Sequence, residues 1–205
     1  DPRYGKGKNN KPPRKVGSHL ELFDCLTCDK CIPVCPNAAN FAFDLPKDTL
    51  EVDKLVFDGA DWQRQPTEPL TIAKKHQLAT FADFCNECGN CDVFCPEDGG
   101  PYAVKPLFFG SEADWAEFTH RDGFFIEGNR ILGRFGGKAY SARFDEASSR
   151  YEAPSGVATV FEHDVLVEAG TAPEAGAELD LTYFHILRWL HGAVGAPLNP
   201  VSARG

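Results

Sequence analysis

A spacing of four cysteines occurs twice in this chain and constrains its fold more than any other feature. The first copy consists of Cys25, Cys28, Cys31 and Cys35, followed by Pro36. The second consists of Cys85, Cys88, Cys91 and Cys95, followed by Pro96. Both read C-x2-C-x2-C-x3-C-P, and together they use all 8 cysteines of the chain. Three thiolates spaced by two residues can converge on one iron–sulfur cube from a single tight loop, so the duplication predicts two such loops.

The spacing is similar to that of bacterial ferredoxins, which hold cubane [4Fe–4S] clusters. In two-cluster ferredoxins the fourth cysteine of each motif ligates the other cluster. Transferred to this chain, the resemblance implies crossed ligation. Cluster 1 is then expected to take Cys25, Cys28, Cys31 and Cys95. Cluster 2 is then expected to take Cys85, Cys88, Cys91 and Cys35.

Two other uses of eight cysteines are possible. Four disulfides would suit a small secreted scaffold, but such scaffolds have no reason to repeat this motif. Zinc sites use pairs of C-x2-C, or cysteine with histidine, and do not need a third closely spaced thiolate. The sequence therefore favours two [4Fe–4S] clusters over zinc or disulfides.

Length and composition suit one modest domain or two small ones, since 205 residues can bury a core. The sequence shows neither an apolar run of membrane-spanning length nor a secretory signal pattern, so we expect no membrane span. Because cluster assembly needs free thiols, we expect a reducing compartment, most simply the cytoplasm. The chain opens on Asp1 and contains no methionine. We therefore expect a piece of a longer polypeptide or a processed subunit.

Charge is distributed unevenly around a net value of −9. The first fifteen residues hold six basic side chains and one acid, Asp1. A basic tail can bind nucleic acid, but the rest of the chain is acidic and would repel a polyanion. Prolines and glycines in residues 1–18 favour an extended linker laid on an acidic surface.

We predict an α+β fold: a two-cluster bacterial ferredoxin-like module, a small antiparallel β-meander and a C-terminal helix. The ferredoxin-like domain is expected over residues 19–110, with a short strand at Phe41–Phe43 and an insertion at residues 44–77. Within that insertion, the alternation of residues 49–57 predicts one strand. The β-rich region and terminal helix are expected over residues 111–205.

Glycine-rich turns separate the strand-like runs of the C-terminal region. The runs predicted as strands are residues 124–126, 130–135, 138–144, 157–161 and 165–167. Residues 179–194 have a helical pattern, with apolar Tyr183, Leu187, Leu190 and Val194 on one face. That helix suits ordinary packing better than a dedicated partner contact.

Segments around the motifs resemble a known family. They are Leu20–Asn40, Phe84–Tyr102, Lys105, Gly123–Glu127 and the β-rich tail into the final helix. They resemble the C-terminal iron–sulfur region of the family named "putative selenate reductase subunit". These proteins are flavin-dependent oxidoreductases related to the glutamate synthase small subunit and to dihydropyrimidine dehydrogenase. The resemblance implies a flavin- and nicotinamide-binding portion, on a partner or parent polypeptide, that exchanges electrons with the clusters.

Evidence for catalysis on this chain is weak. Residues 133–138 superficially resemble a phosphate loop, but the glycine spacing differs and a hairpin turn explains them better. We expect an electron-transfer module that relays single electrons between a flavoprotein and another redox centre of a hetero-complex. A mainly structural role for the clusters is the alternative. Chemistry at a cluster is disfavoured because all eight cysteines are needed as ligands.

Overall fold

The computed structural model describes residue 23 and residues 25–74, 76–97, 100–160, 165–167 and 174–195. The predicted linker, residues 1–18, lies outside this part of the chain. The strands are β1 (Asn40–Asp44), β2 (Asp48–Leu50), β3 (Asp53–Phe57), β4 (Trp62–Pro66), β5 (Leu70–Ile72), β6 (His76–Phe81), β7 (Leu107–Phe109), β8 (Gly123–Glu127), β9 (Arg130–Phe135), β10 (Lys138–Phe144), β11 (Ser149–Ala153), β12 (Gly156–Val160), β13 (Val165–Val167) and β14 (Glu178–Asp180). The helices are α1 (Asn90–Phe94), α2 (Pro101–Val104), α3 (Glu112–Glu117) and α4 (Thr182–Val194), and Ala82–Phe84 form a 3₁₀ turn. The described residues thus form mostly strands with few helices.

The chain divides into two compact units. The cysteine unit comprises Asp1–Asp44 and His76–Phe108, and the sheet unit comprises Leu45–Lys75 and Phe109–Gly205. Both cysteine motifs therefore belong to the same unit, although a segment of the other unit separates them in sequence.

Strands β1 and β6 form the frame of the cysteine unit. They pair antiparallel, with Asn40 opposite Thr80, and β7 pairs parallel with β6. Leu78 and Phe81 of β6 are 2% and 4% exposed, so this strand is buried. The first cysteine motif leads into β1, and the second follows β6 through the 3₁₀ turn. The strand pair therefore brings the two motifs together.

Residues 45–75 pack with the C-terminal region, whereas the sequence placed residues 44–77 as an insertion in the ferredoxin-like domain. Within this segment β2 pairs with β5, and β3 pairs antiparallel with both β4 and β14. Leu55 on β3 and Leu179 on β14 are 2% and 0% exposed. Strand pairing buries these apolar side chains, and this burial explains why residues 45–75 belong to the sheet unit. The prediction of a single strand over residues 49–57 was wrong, because β2 and β3 are separate strands.

The sheet unit also contains an antiparallel series of strands from β8 to β13. Strands β8 to β11 pair in sequence order, and β11, β12 and β13 continue the series. Four of the five predicted strand runs in this region lie within two residues of the observed bounds, and β13 coincides with the fifth. The sequence prediction omitted β11, whose segment Ser-Arg-Tyr-Glu-Ala is largely polar. The meander is therefore confirmed in part.

The terminal helix α4 packs on β9 and β10 through buried Phe184, Leu187 and Leu190. Its apolar side chains recur every three or four residues, as expected for a helix with one buried face. The first residues of the predicted helix, 179–181, instead include the end of β14. Among the described residues, no helix has the length and hydropathy needed to cross a membrane.

Candidate metal centre

The two cysteine motifs repeat in backbone conformation as well as in sequence. We call Cys25–Cys35 the first loop and Cys85–Cys95 the second loop. Thr27 and Asp29 have φ values of 51° and 57°, and their equivalents Glu87 and Gly89 have values of 55° and 77°. Positive φ is uncommon for residues with a side chain, so its recurrence at matching positions shows a shared loop geometry. Left-handed residues are also common in loops that offer backbone N–H groups to bound anions.

Hydrogen bonds between backbone groups repeat in the same way. In the first loop, the N–H groups of Ile32 and Cys35 donate to Asp29 O and Ile32 O at 3.1 and 3.2 Å. In the second loop, the equivalent groups of Asp92 and Cys95 donate to Gly89 O and Asp92 O at 2.9 and 3.1 Å. Burial also repeats. The first cysteine of each loop is half-buried, the second is exposed and the third is buried.

All eight cysteines lie in the described part of the chain, and none forms a disulfide. The disulfide alternative is therefore not what the structure contains. The thiols are instead grouped around two positions in the cysteine unit.

The first group of thiols lines one small cavity. Its cysteines are Cys25, Cys28, Cys31 and Cys95, with Leu78 and Pro101 among the other lining residues. Three of these thiols come from the first loop and the fourth comes from the second loop. This set is the one that the ferredoxin resemblance implies for cluster 1.

The second group surrounds Cys91. Burial raises the pKa of the Cys91 thiol, and the neighbouring thiols of Cys85 and Cys35 raise it further. Cys35 of the first loop therefore lies near two thiols of the second loop. Cys88 is exposed. The structure thus brings together three of the four cysteines that the resemblance implies for cluster 2.

Burial also raises the pKa of two thiols of the first group. It raises the pKa of Cys31 to about 12, with further contributions from Cys25, Cys91 and Cys28. Burial raises the pKa of Cys25 as well, although the N–H of Thr27 and the charge of Lys105 act in the opposite direction. Closely spaced thiols disfavour each other's ionisation. The raised pKa values keep the Cys25 and Cys31 thiols protonated in the absence of metal, and metal binding would release their protons.

Several N–H groups point at cysteine sulfur atoms. The backbone N–H of Thr27 lies 3.3 Å from Cys25 Sγ, and that of Ala39 lies 3.2 Å from Cys35 Sγ. The backbone of Tyr102 and the side chain of Asn40 partly offset the rise that burial causes in the pKa of the Cys91 thiol. Such donors stabilise thiolate charge and are among the groups that tune iron–sulfur clusters.

The charges of two buried residues, Glu97 and Lys105, influence the pKa of Cys25. Glu97 and Lys105 are 2% and 4% exposed, and Glu97 lines the first cavity. The Lys105 charge lowers the pKa of Cys25 and that of Glu97 raises it. Lys105 belongs to the segments that carry the family resemblance, whereas no sequence motif points to Glu97.

The thiol groups fit iron–sulfur cubes better than single metal ions. In the described part of the chain, no three His, Cys, Asp or Glu side chains converge where they could hold one ion. A [4Fe–4S] cube binds its four thiolates at separate irons, so its ligands surround a larger group than one ion. Four thiols around a shared cavity satisfy that requirement.

Comparison with known proteins supports this reading of the cysteine unit. Residues 21–98 match a family model described as "4Fe-4S dicluster domain". The matched segment is an iron–sulfur domain. It contains all eight cysteines and therefore both thiol groups.

Two curated relatives extend the similarity beyond the cysteine unit. Both carry the name "Putative oxidoreductase YgfK", one from Escherichia coli K12 and one from Escherichia coli O157:H7. Each is 28% identical over 140 residues, which cover 66% of this chain and 11% of the relative. The chain thus spans about a tenth of the length of these relatives. No solved structure matches the chain.

Proposed function

We propose that this chain binds two [4Fe–4S] clusters by crossed ligation and relays single electrons. Cluster 1 would be held by Cys25, Cys28, Cys31 and Cys95. Cluster 2 would be held by Cys85, Cys88, Cys91 and Cys35. The observation that carries the proposal is the cavity lined by three thiols of the first loop and one thiol of the second. When bound, the clusters supply one-electron chemistry.

The surrounding residues would exclude water from the ligands and hold the thiolates in place. Cys31, Leu78 and Cys91 form one buried cluster, against which Ile32 and Tyr102 pack. Low water access and N–H donors to sulfur both influence cluster potential. The cysteine unit therefore has the features that an electron carrier needs around its ligands.

A redox partner is supported by apolar side chains exposed beside the cysteines. Leu26 and Phe84 are 47% and 38% exposed, and Val93 and Phe94 are 52% and 44% exposed. Exposed large apolar groups are typical of surfaces that contact another protein. The proposed docking surface is therefore one of the cysteine loops.

We propose a flavin-bearing oxidoreductase domain or subunit as that partner. The family resemblance implies a flavin and an NAD(P) site on the partner or parent polypeptide, and the curated relatives are named as oxidoreductases. Two one-electron carriers suit a two-electron flavin that gives up its electrons singly. The chain then acts as a non-catalytic part of a larger hetero-complex in a reducing, cytoplasmic compartment.

Anaerobic mixing tests the relay. NADH or NADPH alone should leave the clusters oxidised, because the nicotinamide would need a flavin to split its electron pair. Addition of the flavoprotein that copurifies with the chain should reduce the clusters, as followed by visible absorption and EPR. Direct catalytic reduction by nicotinamide without flavin would contradict the proposal.

The alternative is a structural role, in which clusters hold an assembly surface together. The link between the two loops through buried Cys31 and Cys91 is compatible with it. Clusters that assemble but stay redox-silent over the accessible potential range would favour this role over the relay.

A further inference from the structure

One face of strand β6 holds the first cysteine loop at three points. Side chains alternate between the two faces of a strand, so His76, Leu78 and Thr80 lie on the same face of β6. Leu78 packs with Cys31 in a buried cluster. Thr80 Oγ1 donates to Asn40 Oδ1 at 2.7 Å, and Asn40 Nδ2 donates to the carbonyl oxygen of Cys31 at 2.9 Å. His76 supplies the third point.

The side chain of His76 forms a hydrogen bond with the carboxylate of Asp29. His76 Nε2 lies 2.9 Å from Asp29 Oδ1, and the two side chains are 25% and 50% exposed. A carboxylate oxygen only accepts hydrogen bonds, so Nε2 of His76 carries the proton and donates it. The contact joins residues that are 47 positions apart in sequence, and it connects the first loop to the start of β6.

Asp29 has a backbone conformation for which the second loop uses glycine. Its φ is 57°, and Gly89 at the equivalent position has a φ of 77°. Left-handed φ values are less favourable for aspartate than for glycine, because glycine has no Cβ. An added Cβ at Gly89 would meet nothing within 4 Å, so conformation rather than space explains the glycine. The first loop must therefore offset a backbone cost that the second loop avoids.

The turn that begins at Asp29 contains a proposed ligand of cluster 1. The backbone N–H of Ile32 donates to Asp29 O at 3.1 Å, and this hydrogen bond closes the turn around Cys31. Cys31 is 7% exposed and lines the cavity of the first thiol group. The backbone conformation of Asp29 consequently affects the position of the Cys31 thiol.

We propose that His76 is a positioning residue that holds Asp29 in its left-handed conformation and so arranges the first loop for cluster 1. The inference rests on the proposed function. The hydrogen bond from His76 offsets the cost of aspartate at this position, and the loop keeps its thiols in the arrangement that the cluster needs. Glycine has no such cost, so the second loop and cluster 2 do not depend on His76.

Anaerobic iron release from the cluster-loaded full chain to a chelator, followed by EPR of the reduced clusters, tests this inference. Cys28→Ser and Cys88→Ser each perturb one proposed ligand and identify the signals of cluster 1 and cluster 2. His76→Leu removes the donor, so cluster 1 should lose iron about five times faster, the order expected for one hydrogen bond. Cluster 2 should lose iron at the wild-type rate. His76→Gln keeps an N–H donor and should restore most of the wild-type rate at cluster 1.

The double variant Asp29→Gly with His76→Leu distinguishes positioning from a general effect on β6. Glycine tolerates the left-handed conformation, so cluster 1 should regain the wild-type rate without His76. Asp29→Gly alone is the matched control, and the double variant should behave like it. Equal acceleration at both clusters, as expected if His76 only stabilises β6, would overturn the inference. An unchanged rate in His76→Leu, or no recovery with Asp29→Gly, would overturn it as well. If the wild-type chain binds no iron–sulfur cluster, the proposed function itself fails.

Discussion

At the scale of single residues, the proposed crossed ligation gives each cysteine loop its fourth thiol from the other loop. Cys95 lines the cavity of the first loop, and Cys35 lies near Cys91 and Cys85 of the second loop. The backbone N–H of Cys95 donates to Cys91 O and Asp92 O of α1, both at 3.1 Å, and these hydrogen bonds hold Cys95 in place. Loss of one fourth cysteine should therefore affect the cluster built on the opposite loop.

Cys35→Ala should damage the cluster held by Cys85, Cys88 and Cys91 and spare the other. Iron and sulfide should fall to about half of the wild-type content, from the rule of four thiolates for each cube. Cys95→Ala is the matched variant and should remove the opposite EPR signal. Loss of the cluster on the mutated residue's own loop would show that each cluster is ligated by the four cysteines of a single motif.

Two glycines of the cysteine unit have positive φ but different surroundings. Gly89 has a φ of 77°, and an added Cβ would meet nothing within 4 Å. Gly100 has a φ of 66°, and its Cβ would lie 2.4 Å from the Cβ of Asp92. A Cβ at Gly89 therefore causes backbone strain alone, whereas one at Gly100 also displaces α1.

Gly89→Ala should lower the free energy of unfolding by about 1 kcal/mol, the usual cost of a left-handed alanine. Gly100→Ala should cost about 3 kcal/mol, since overpacking adds to the strain. It should also reduce cluster occupancy, because Asp92 lies between the ligands Cys91 and Cys95. Chemical denaturation and iron analysis of both variants measure the difference. Equal effects would contradict the predicted close approach of Gly100 to α1.

At the scale of secondary-structure elements, α4 carries a partly buried histidine, His185. Burial, followed by the charge of Arg188, lowers the pKa of His185 from 6.5 to about 4. Between these values the unfolded chain binds a proton that the folded chain excludes. His185 therefore favours the folded state fully above about pH 6.5, and stability declines as the pH falls toward 4.

His185→Gln should reduce the loss of thermal stability between pH 6.5 and pH 4. The physical reason is that glutamine does not titrate, so that proton uptake no longer drives unfolding. Melting curves across this range give the pH dependence, and His191→Gln on the same helix is the control that keeps His185. The same slope in wild type and His185→Gln would show that this histidine is not the cause.

The elements that sequence could predict depend on local patterns. The bounds of β9 and β10 follow from apolar runs between glycine turns, and the cysteine loops follow from their spacing. Pairing between distant segments was not predictable in this way. Strand β3 meets β14 across more than a hundred residues, and Asn40 meets Thr80 only through the register of β1 with β6. The cysteine spacing is encoded in a few adjacent residues, whereas the N–H of Ala39, which lies 3.2 Å from Cys35 Sγ, comes from outside the motif.

At the scale of the whole molecule, the electron-carrying features belong to the cysteine unit. That unit contains all eight cysteines, the shared cavity and the exposed apolar side chains of the loops. The sheet unit takes up residues 45–75 between the two motifs without contributing a cysteine. We therefore expect the cysteine unit to determine cluster content and redox behaviour.

Reductive titration of the anaerobically prepared chain tests the central claim most directly. Two [4Fe–4S] clusters should give about eight iron and eight sulfide per chain, and each cluster should accept one electron. Dithionite should therefore deliver about two electrons per chain, with bleaching of the broad visible absorption and the appearance of EPR signals from reduced clusters. Stoichiometric zinc without labile sulfide, or a chain that takes up no electrons, would contradict the account.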